Sequence, residues 1–148
     1  MFDDQYWMQE ALKEARKASE RDEIPVGVVV VCDQKIIARA HNLTETLRDV
    51  TAHAEMQAIT AASDALGGKY LHECTLYVTL EPCPMCAGAL YWSRLGRLVY
   101  GAKDEKRGYA RLKDSLLHPK TIITEGVLAD ASRELLLDFF EKKRRPTR

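Results

Sequence analysis

Apolar residues recur with a helical period in three separated stretches of the chain. This spacing predicts an amphipathic helix over residues 3–20 and a second, alanine-rich helix over residues 52–66 that stops at Gly67-Gly68. A closing helix is expected over residues 131–143. The apolar face of the first helix comprises Met8, Ala11, Leu12, Ala15 and Ala18, and that of the last comprises Leu135, Leu136, Phe139 and Phe140. The pattern therefore places helices at both ends and near the middle.

Between these helices, short runs of β-branched and other apolar residues predict five strands. They cover residues 24–31, 35–40, 74–80, 97–101 and 121–124, and the first two are joined by a hairpin at Asp33-Gln34. Pro82 and Pro84 suit a strand end followed by the first turn of a helix that runs to about Ser93. Because strands alternate with helices, the sequence favours an α/β fold with a central sheet covered on both faces.

Length and composition set the class of protein. A chain of 148 residues, 46% hydrophobic and 30% charged, is typical of one globular domain, and we expect residues 1–148 to form it. The apolar runs are too short to span a bilayer, so no membrane partner is expected. Residues 1–5 carry acidic charge and no apolar signal-like run, which favours a cytoplasmic location.

Charge is unevenly distributed although the formal net charge is zero. Residues 94–113 hold seven basic and two acidic side chains, and residues 141–148 hold five basic and one acidic. Such clusters suit a phosphate-rich ligand, but they are also common on ordinary solvated surfaces. Charge alone leaves both interpretations open.

Four side chains suggest metal chemistry. Cys83 and Cys86 are three residues apart at a predicted helix start, where the helix dipole favours thiolates, and His53 lies at another predicted helix start with Thr51 as its N-cap. One imidazole and two thiolates can hold Zn²⁺. A Cys-x-x-Cys alone is equally typical of a redox pair or a closed zinc knuckle. Cys32 and Cys74 are expected to be free thiols.

Glu55 favours a catalytic over a structural metal site. It lies two residues after His53 and therefore does not share a helix face with it, so it is poorly placed as a further ligand. A structural zinc needs four protein ligands, whereas three ligands and a nearby carboxylate leave a position for water. We expect Glu55 to transfer protons.

The pattern His-x-Glu with Pro-Cys-x-x-Cys resembles the zinc nucleobase deaminases, and within them the bacterial tRNA-specific adenosine deaminases. The resemblance spans nearly the whole chain. It is carried by residues 6–8, 24–27, 40–42, 51–55, 76–89, 93–94, 100–102, 126–128 and 138–140.

The resemblance implies a cytidine deaminase-like, three-layer α/β/α sandwich around a five-stranded mixed sheet, forming a homodimer. It implies Zn²⁺, one per subunit, on His53, Cys83 and Cys86, with Glu55 as the catalytic proton carrier. Asn42 would hydrogen-bond the base or its sugar, and Val26 and Ala54 would line the pocket. The implied reaction converts adenosine to inosine at the wobble position of a tRNA anticodon stem-loop and releases ammonia.

Several segments depart from the family pattern and keep other functions open. Residues 106–112 replace a small, glycine-rich stretch. Tyr91-Trp92 is similar to a pair in bacterial guanine deaminases, which act on a free base, although core or dimer packing is the favoured interpretation of these two aromatic residues. A deaminase of free guanine or cytosine is therefore the second hypothesis. A non-catalytic, zinc-stapled RNA-binding module is the third.

Candidate RNA contacts lie outside the metal motif. Tyr109, flanked by Arg107 and Arg111, has the residue types that stack on and pair with single-stranded bases. Four further candidates follow the last predicted helix face, where they would meet phosphates: Lys142, Lys143, Arg144 and Arg145.

Overall fold

A computed structural model describes residues 1–144 of the chain. Its helices are α1 (Asp4–Glu20), α2 (Ala54–Leu66), α3 (Pro84–Trp92) and α4 (Ala129–Arg144). Its strands are β1 (Gly27–Cys32), β2 (Lys35–His41), β3 (Cys74–Leu80), β4 (Arg97–Ala102) and β5 (Ile122–Thr124). A short 3₁₀ helix (Tyr109–Arg111) lies between β4 and β5. Every predicted strand and helix is present.

Most element boundaries shift by one or two residues from the prediction, and two differences have a cause in hydrogen bonding. The first strand begins at Gly27 and not at Ile24, because Pro25 has no N–H and the Val26 N–H turns back to the Ile24 carbonyl. His53 is the N-cap residue of α2, so the expectation that Thr51 caps this helix was wrong. Thr51 instead donates its N–H and hydroxyl to the Asp49 carboxylate, which shapes the turn before the helix.

The five strands form one mixed sheet in the order β2-β1-β3-β4-β5, which confirms the expected fold. β1 pairs antiparallel with β2 and β3, whereas β3, β4 and β5 run parallel. Alternate residues of each strand face opposite layers. Val29, Val31, Tyr77 and Val99 pack on the α1 side, whereas Val28, Val30, Leu76, Val78 and Leu98 pack with α2 and α3.

Close packing of α1 on β1 depends on Gly27. A Cβ atom at this position would lie 2.1 Å from the Ala11 carbonyl oxygen and 2.3 Å from the Ala15 nitrogen. Only glycine lets the two backbones approach so closely. The Gly27 N–H also donates to Thr79 Oγ1, which ties the start of β1 to the end of β3.

Strand direction brings four connections to one edge of the sheet. The parallel strands β3 and β4 both end there, and β1, which runs the opposite way, starts there. Gly27 pairs with His41, so β2 also ends at this edge. Residues that follow β2, β3 and β4 therefore meet residues that precede β1. Within residues 1–144, the helices are too short or too polar to traverse a bilayer.

Candidate active site

A cavity of about 670 Å³ opens at this edge of the sheet. Its volume lies within the range of small-molecule binding pockets, which is about 300–1,000 Å³. It is lined by Ile24, Val26, Asn42, Thr44, His53, Ala54, Glu55, Leu80, Glu81, Cys83, Lys103, Asp104, Glu105, Lys106, Arg107, Arg133, Leu136, Leu137 and Phe140. Ala54, Glu81 and Glu55 are the most buried lining residues, with exposed fractions of 0%, 3% and 4%, so they mark the inner end of the cavity.

The starts of α2 and α3 converge at this inner end. His53 is the N-cap residue of α2, Cys83 is the N-cap residue of α3, and Cys86 lies in the first turn of α3 after Pro84. His53 Nδ1 is 3.6 Å from Cys83 Sγ and 3.3 Å from Cys86 Sγ. All three potential ligand atoms lie within 4.8 Å of one another, which is close enough to bind one ion.

The electrostatic environment of His53, Cys83 and Cys86, called the ligand trio, favours binding of a cation. Hydrogen bonds from the Cys86 thiol and from His53 lower the pKa of Cys83 to about 4, so Cys83 is a thiolate at neutral pH. The hydrogen bond to Cys83 raises the pKa of His53. The pKa of Cys86 is also raised, because its thiol is the donor to Cys83 and because it is buried. Without an ion, the site therefore favours a thiolate at Cys83 beside a thiol at Cys86.

Glu55 is buried beside the trio without belonging to it. It lies in the first turn of α2, and burial raises its pKa to about 7, against the opposing effects of its own backbone N–H and of His53. Its carboxyl group also forms a hydrogen bond with the Cys86 thiol. A carboxyl that titrates near neutrality can both accept and donate a proton, as general acid–base chemistry requires.

The three predicted substrate-binding residues all line the same cavity. The Asn42 side chain is oriented by Thr44, because its Nδ2 donates to Thr44 Oγ1 over 3.3 Å and its Oδ1 accepts the Thr44 N–H over 3.4 Å. The Asn42 N–H donates to the Val26 carbonyl, which joins two of the lining segments. Val26 and Ala54 supply apolar surface next to this amide.

The three predicted RNA contacts in the loop after β4 differ in exposure and in position relative to the cavity. Arg107 is exposed and lines the cavity, whereas Arg111 is exposed outside the cavity lining. The expectation that Tyr109 stacks on RNA bases was wrong. Its ring is only 6% exposed, packs edge-on against Tyr100 and belongs to the core, because the Tyr109 N–H donates to the Pro82 carbonyl and turns the chain inward.

The basic residues of α4 differ in their surroundings. Lys142 is exposed, Lys143 contacts Asp22 at 2.5 Å, and the Arg144 side chain donates to the Phe140 carbonyl over 3.3 Å. Arg145, the fourth residue predicted to meet phosphates, lies outside the described residues.

One face of α4 was not predicted to line the site. Arg133, Leu136, Leu137 and Phe140 border the cavity. Leu136 and Phe140 belong to the apolar face predicted from the sequence, whereas Arg133 and Leu137 do not. Which layer a helix face packs on depends on the tertiary arrangement, so no local pattern indicates that these residues reach the site.

Two buried carboxylates were also missed. Glu23 and Glu81 have exposed fractions of 0% and 3%, and each accepts hydrogen bonds from the main chain of a loop that borders the cavity. Glu81 stands directly before the Pro-Cys-x-x-Cys motif, but its sequence environment did not indicate its contacts.

Comparison with known proteins gives consistent similarities. Residues 2–144 match the model of the MafB19-like deaminase family. The chain is 46% identical to the tRNA-specific adenosine deaminase of Bacillus subtilis (strain 168), over 98% of this chain and 93% of that protein.

Two solved structures share this architecture. The first comes from studies of A-to-I editing by tRNA:A34 deaminases at the wobble position of transfer RNA. It has a TM-score of 0.83 and 45% identity, and the match covers 88% of this chain and 99% of that chain. The second is a guanine deaminase from Bacillus subtilis, with a TM-score of 0.66 and 39% identity over 69% of this chain and 66% of that chain.

Proposed function

We propose that this chain, which belongs to the MafB19-like deaminase family and is similar along its length to tRNA-specific adenosine deaminases, converts wobble adenosine in a tRNA anticodon to inosine. The reaction consumes water and releases ammonia. The observation that carries the proposal is the buried Glu55 beside the His53, Cys83 and Cys86 trio, at the inner end of a cavity of about 670 Å³.

The donor set fits zinc. An imidazole nitrogen and two thiol sulfurs are ligands that zinc prefers, so His53, Cys83 and Cys86 would hold the ion, and Glu55, which lies outside this trio, would remain free to transfer protons. When bound, zinc would act as a Lewis acid that lowers the pKa of a water ligand. The Cys83 thiolate is already present to receive the ion, because the pKa of Cys83 is near 4.

Glu55 would perform the proton transfers. The exocyclic amine of adenine is a poor leaving group while the ring is aromatic, so ring protonation and water addition must precede its loss. Glu55 accepts a proton from the attacking water and delivers it to the neighbouring ring nitrogen. It would then take the proton of the hydroxyl group newly attached to the ring carbon and deliver it to the amine, so that the C=O bond forms as the C–N bond breaks and ammonia leaves. Burial, which raises the pKa of Glu55 above its ordinary value, favours a carboxyl that can both accept and donate a proton.

The remaining inner residues would hold the base. Val26 and Ala54 give apolar surface for the ring, and Asn42, oriented by Thr44, hydrogen-bonds the base or its sugar. Exposed cations at the cavity lining, Arg107 among them, favour a substrate that carries phosphates. Arg111, Lys142, Lys143 and Arg144 extend this basic surface as proposed RNA contacts.

We further propose that the chain forms one domain and functions as a homodimer in the cytoplasm. Exposed aromatic residues at the end of α3 support association, because Trp92 is 77% exposed and lies edge-on to the 38% exposed Tyr91. The four cysteines are free thiols, in keeping with a reducing compartment. Sedimentation of the wild type and of Trp92→Ser tests the dimer, which this substitution should weaken.

The substrate is tested with zinc-loaded protein and parallel substrates. An anticodon stem-loop with adenosine at the wobble position is compared with free guanine, cytosine and adenine. Inosine should form in the stem-loop and be absent with Glu55→Gln. Turnover of a free base alone would replace the proposal with a free-base deaminase, the activity of the guanine deaminase to which the chain is structurally similar.

A further inference from the structure

We infer that Glu81 is a positioning residue that holds the loop of residues 103–111 against the turn that carries Cys83. This loop is called the wall here, because its residues 103–107 line the cavity. The inference rests on the proposed function, since it treats this wall as part of the substrate-binding surface. It concerns a side chain outside the ligand trio and outside the base-binding residues.

The Glu81 side chain accepts hydrogen bonds from both ends of a short segment of this wall. Oε1 accepts the Asp104 N–H over 3.0 Å, and Oε2 accepts the Ala110 N–H over 2.9 Å. The Glu81 N–H donates to the Ala102 carbonyl over 2.8 Å. One residue therefore fixes where the chain leaves β4 and where it enters the 3₁₀ helix.

The wall packs tightly around this carboxylate. A Cβ atom on Gly108 would lie 2.2 Å from Glu81 Oε2 and 2.6 Å from the Asp104 carbonyl oxygen, so only glycine fits there. The next residue, Tyr109, donates its N–H to the Pro82 carbonyl over 2.9 Å. Contacts to Glu81 and Pro82 thus fasten the wall to the two residues that immediately precede Cys83.

The segment between the two anchored amides carries two exposed cations of this wall, Lys106 and Arg107. The Asp104 carboxylate accepts the N–H groups of Lys106 and Arg107, which closes the segment into a turn. Glu81 is 3% exposed and lines the cavity together with Arg107. Because a buried carboxylate is costly unless its oxygens are hydrogen-bonded, the two amide contacts form a strong and directional anchor. Its consequence is a fixed position for Arg107 relative to Cys83.

Glu23 provides a matched comparison at a different loop, the one that follows Asn42. It is fully buried and accepts the N–H groups of Glu45 and Thr46 over 3.1 and 2.7 Å. These residues belong to the loop that follows Asn42. Each carboxylate anchors a different loop, so their isosteric variants should have local and separable effects.

The test replaces Glu81 by glutamine in the full chain loaded with zinc. Glutamine has the same shape but only one acceptor oxygen, so its amide group faces one of the two backbone donors. We expect amide hydrogen exchange over residues 104–110 to accelerate at least about tenfold, the effect of losing one hydrogen bond to a carboxylate. The metal content should stay at the wild-type value. Glu23→Gln should accelerate exchange at residues 45–46 and not at residues 104–110.

The kinetic readout separates positioning from general destabilisation. For the stem-loop substrate, Glu81→Gln should raise KM about tenfold and keep kcat within about twofold, because uniform binding is lost while the reacting groups stay in place. Glu73→Gln makes the same chemical change at the residue before β3, where the side chain is 80% exposed. The hydrogen exchange, KM and kcat of this variant should match those of the wild type. If Glu81→Gln does not fold, Gly108→Ala perturbs the same contact from the wall and should give the same exchange and KM changes.

Unchanged exchange at residues 104–110, or a fall in kcat or metal content at constant KM, would overturn the inference. A wild type that leaves the stem-loop unmodified would refute the proposed function instead. In that case the exchange measurement still decides whether Glu81 fixes the wall, so the two failures are distinguishable.

Discussion

Replacing Glu55 by glutamine should change how the stability of the metal-free protein depends on pH. Burial raises the pKa of Glu55 to about 7 from an ordinary value of 4.5, which means that the folded state disfavours the ionised form. Below the ordinary value the carboxyl is neutral in both states and costs nothing. As pH rises, the unfolded chain ionises first and the folded state loses relative stability until the pH passes the folded pKa.

The size of this loss follows from the shift. At 1.36 kcal/mol per pKa unit, the wild type should lose about 3 kcal/mol relative to Glu55→Gln between about pH 4 and about pH 8. Because glutamine does not titrate, the variant lacks this contribution. At about pH 6 the relative loss should already be about 2 kcal/mol.

Urea unfolding in the presence of a chelator measures this difference. The free energy of unfolding is determined at several pH values for the wild type, Glu55→Gln and the exposed control Glu73→Gln, and the variant-minus-wild-type difference is compared across pH. The Glu55→Gln difference should rise with pH, and the Glu73→Gln difference should stay flat. A flat or falling Glu55→Gln difference would show that Glu55 is not desolvated as described and would remove the basis for its role as a proton carrier.

Three further outcomes are expected from other parts of the molecule. Asn42→Ala should lower kcat/KM for the stem-loop by about tenfold to a hundredfold, because a hydrogen bond to the substrate is lost, and the metal content should not change. An unaltered kcat/KM would exclude Asn42 from substrate binding. Gly27→Ala should lower the free energy of unfolding by about 3 kcal/mol, because its Cβ meets the α1 backbone; equal denaturation midpoints would contradict this packing. Arg107→Ala should weaken stem-loop binding and reduce the magnitude of the salt slope by about 1, whereas Tyr109→Phe should change neither, because its ring is buried. Binding titrations at several salt concentrations check the last pair.

The elements could be predicted because their signals are local. The alternation of apolar residues and the proline and glycine positions sufficed for five strands and four helices. The error at Ile24 arose because the run 24–31 is apolar throughout, and apolarity does not show that Pro25 interrupts the strand hydrogen bonds. Thr51 was misassigned because its side chain can cap a helix or close a turn, and Asp49 decides between these only in the folded chain.

The metal trio and Glu55 could also be predicted, since their spacing places them at helix starts. The surrounding residues could not, because their roles depend on how distant segments meet. Tyr109 lies between two arginines in a polar sequence, but contacts with Pro82 and Tyr100 draw it into the core. In the same way, the contacts of Glu81 are made with residues that follow the next strand, and no local pattern indicates them.

The central claim is that a Glu55-dependent hydrolysis replaces the amine of wobble adenosine with an oxygen atom from water. The most direct measurement incubates zinc-loaded protein with the anticodon stem-loop in water labelled with heavy oxygen, and determines the oxygen isotope in the product nucleoside together with released ammonia. We predict one labelled oxygen and one ammonia for each inosine formed by the wild type, and neither with Glu55→Gln. Inosine without labelled oxygen, or equal product from Glu55→Gln, would contradict the account.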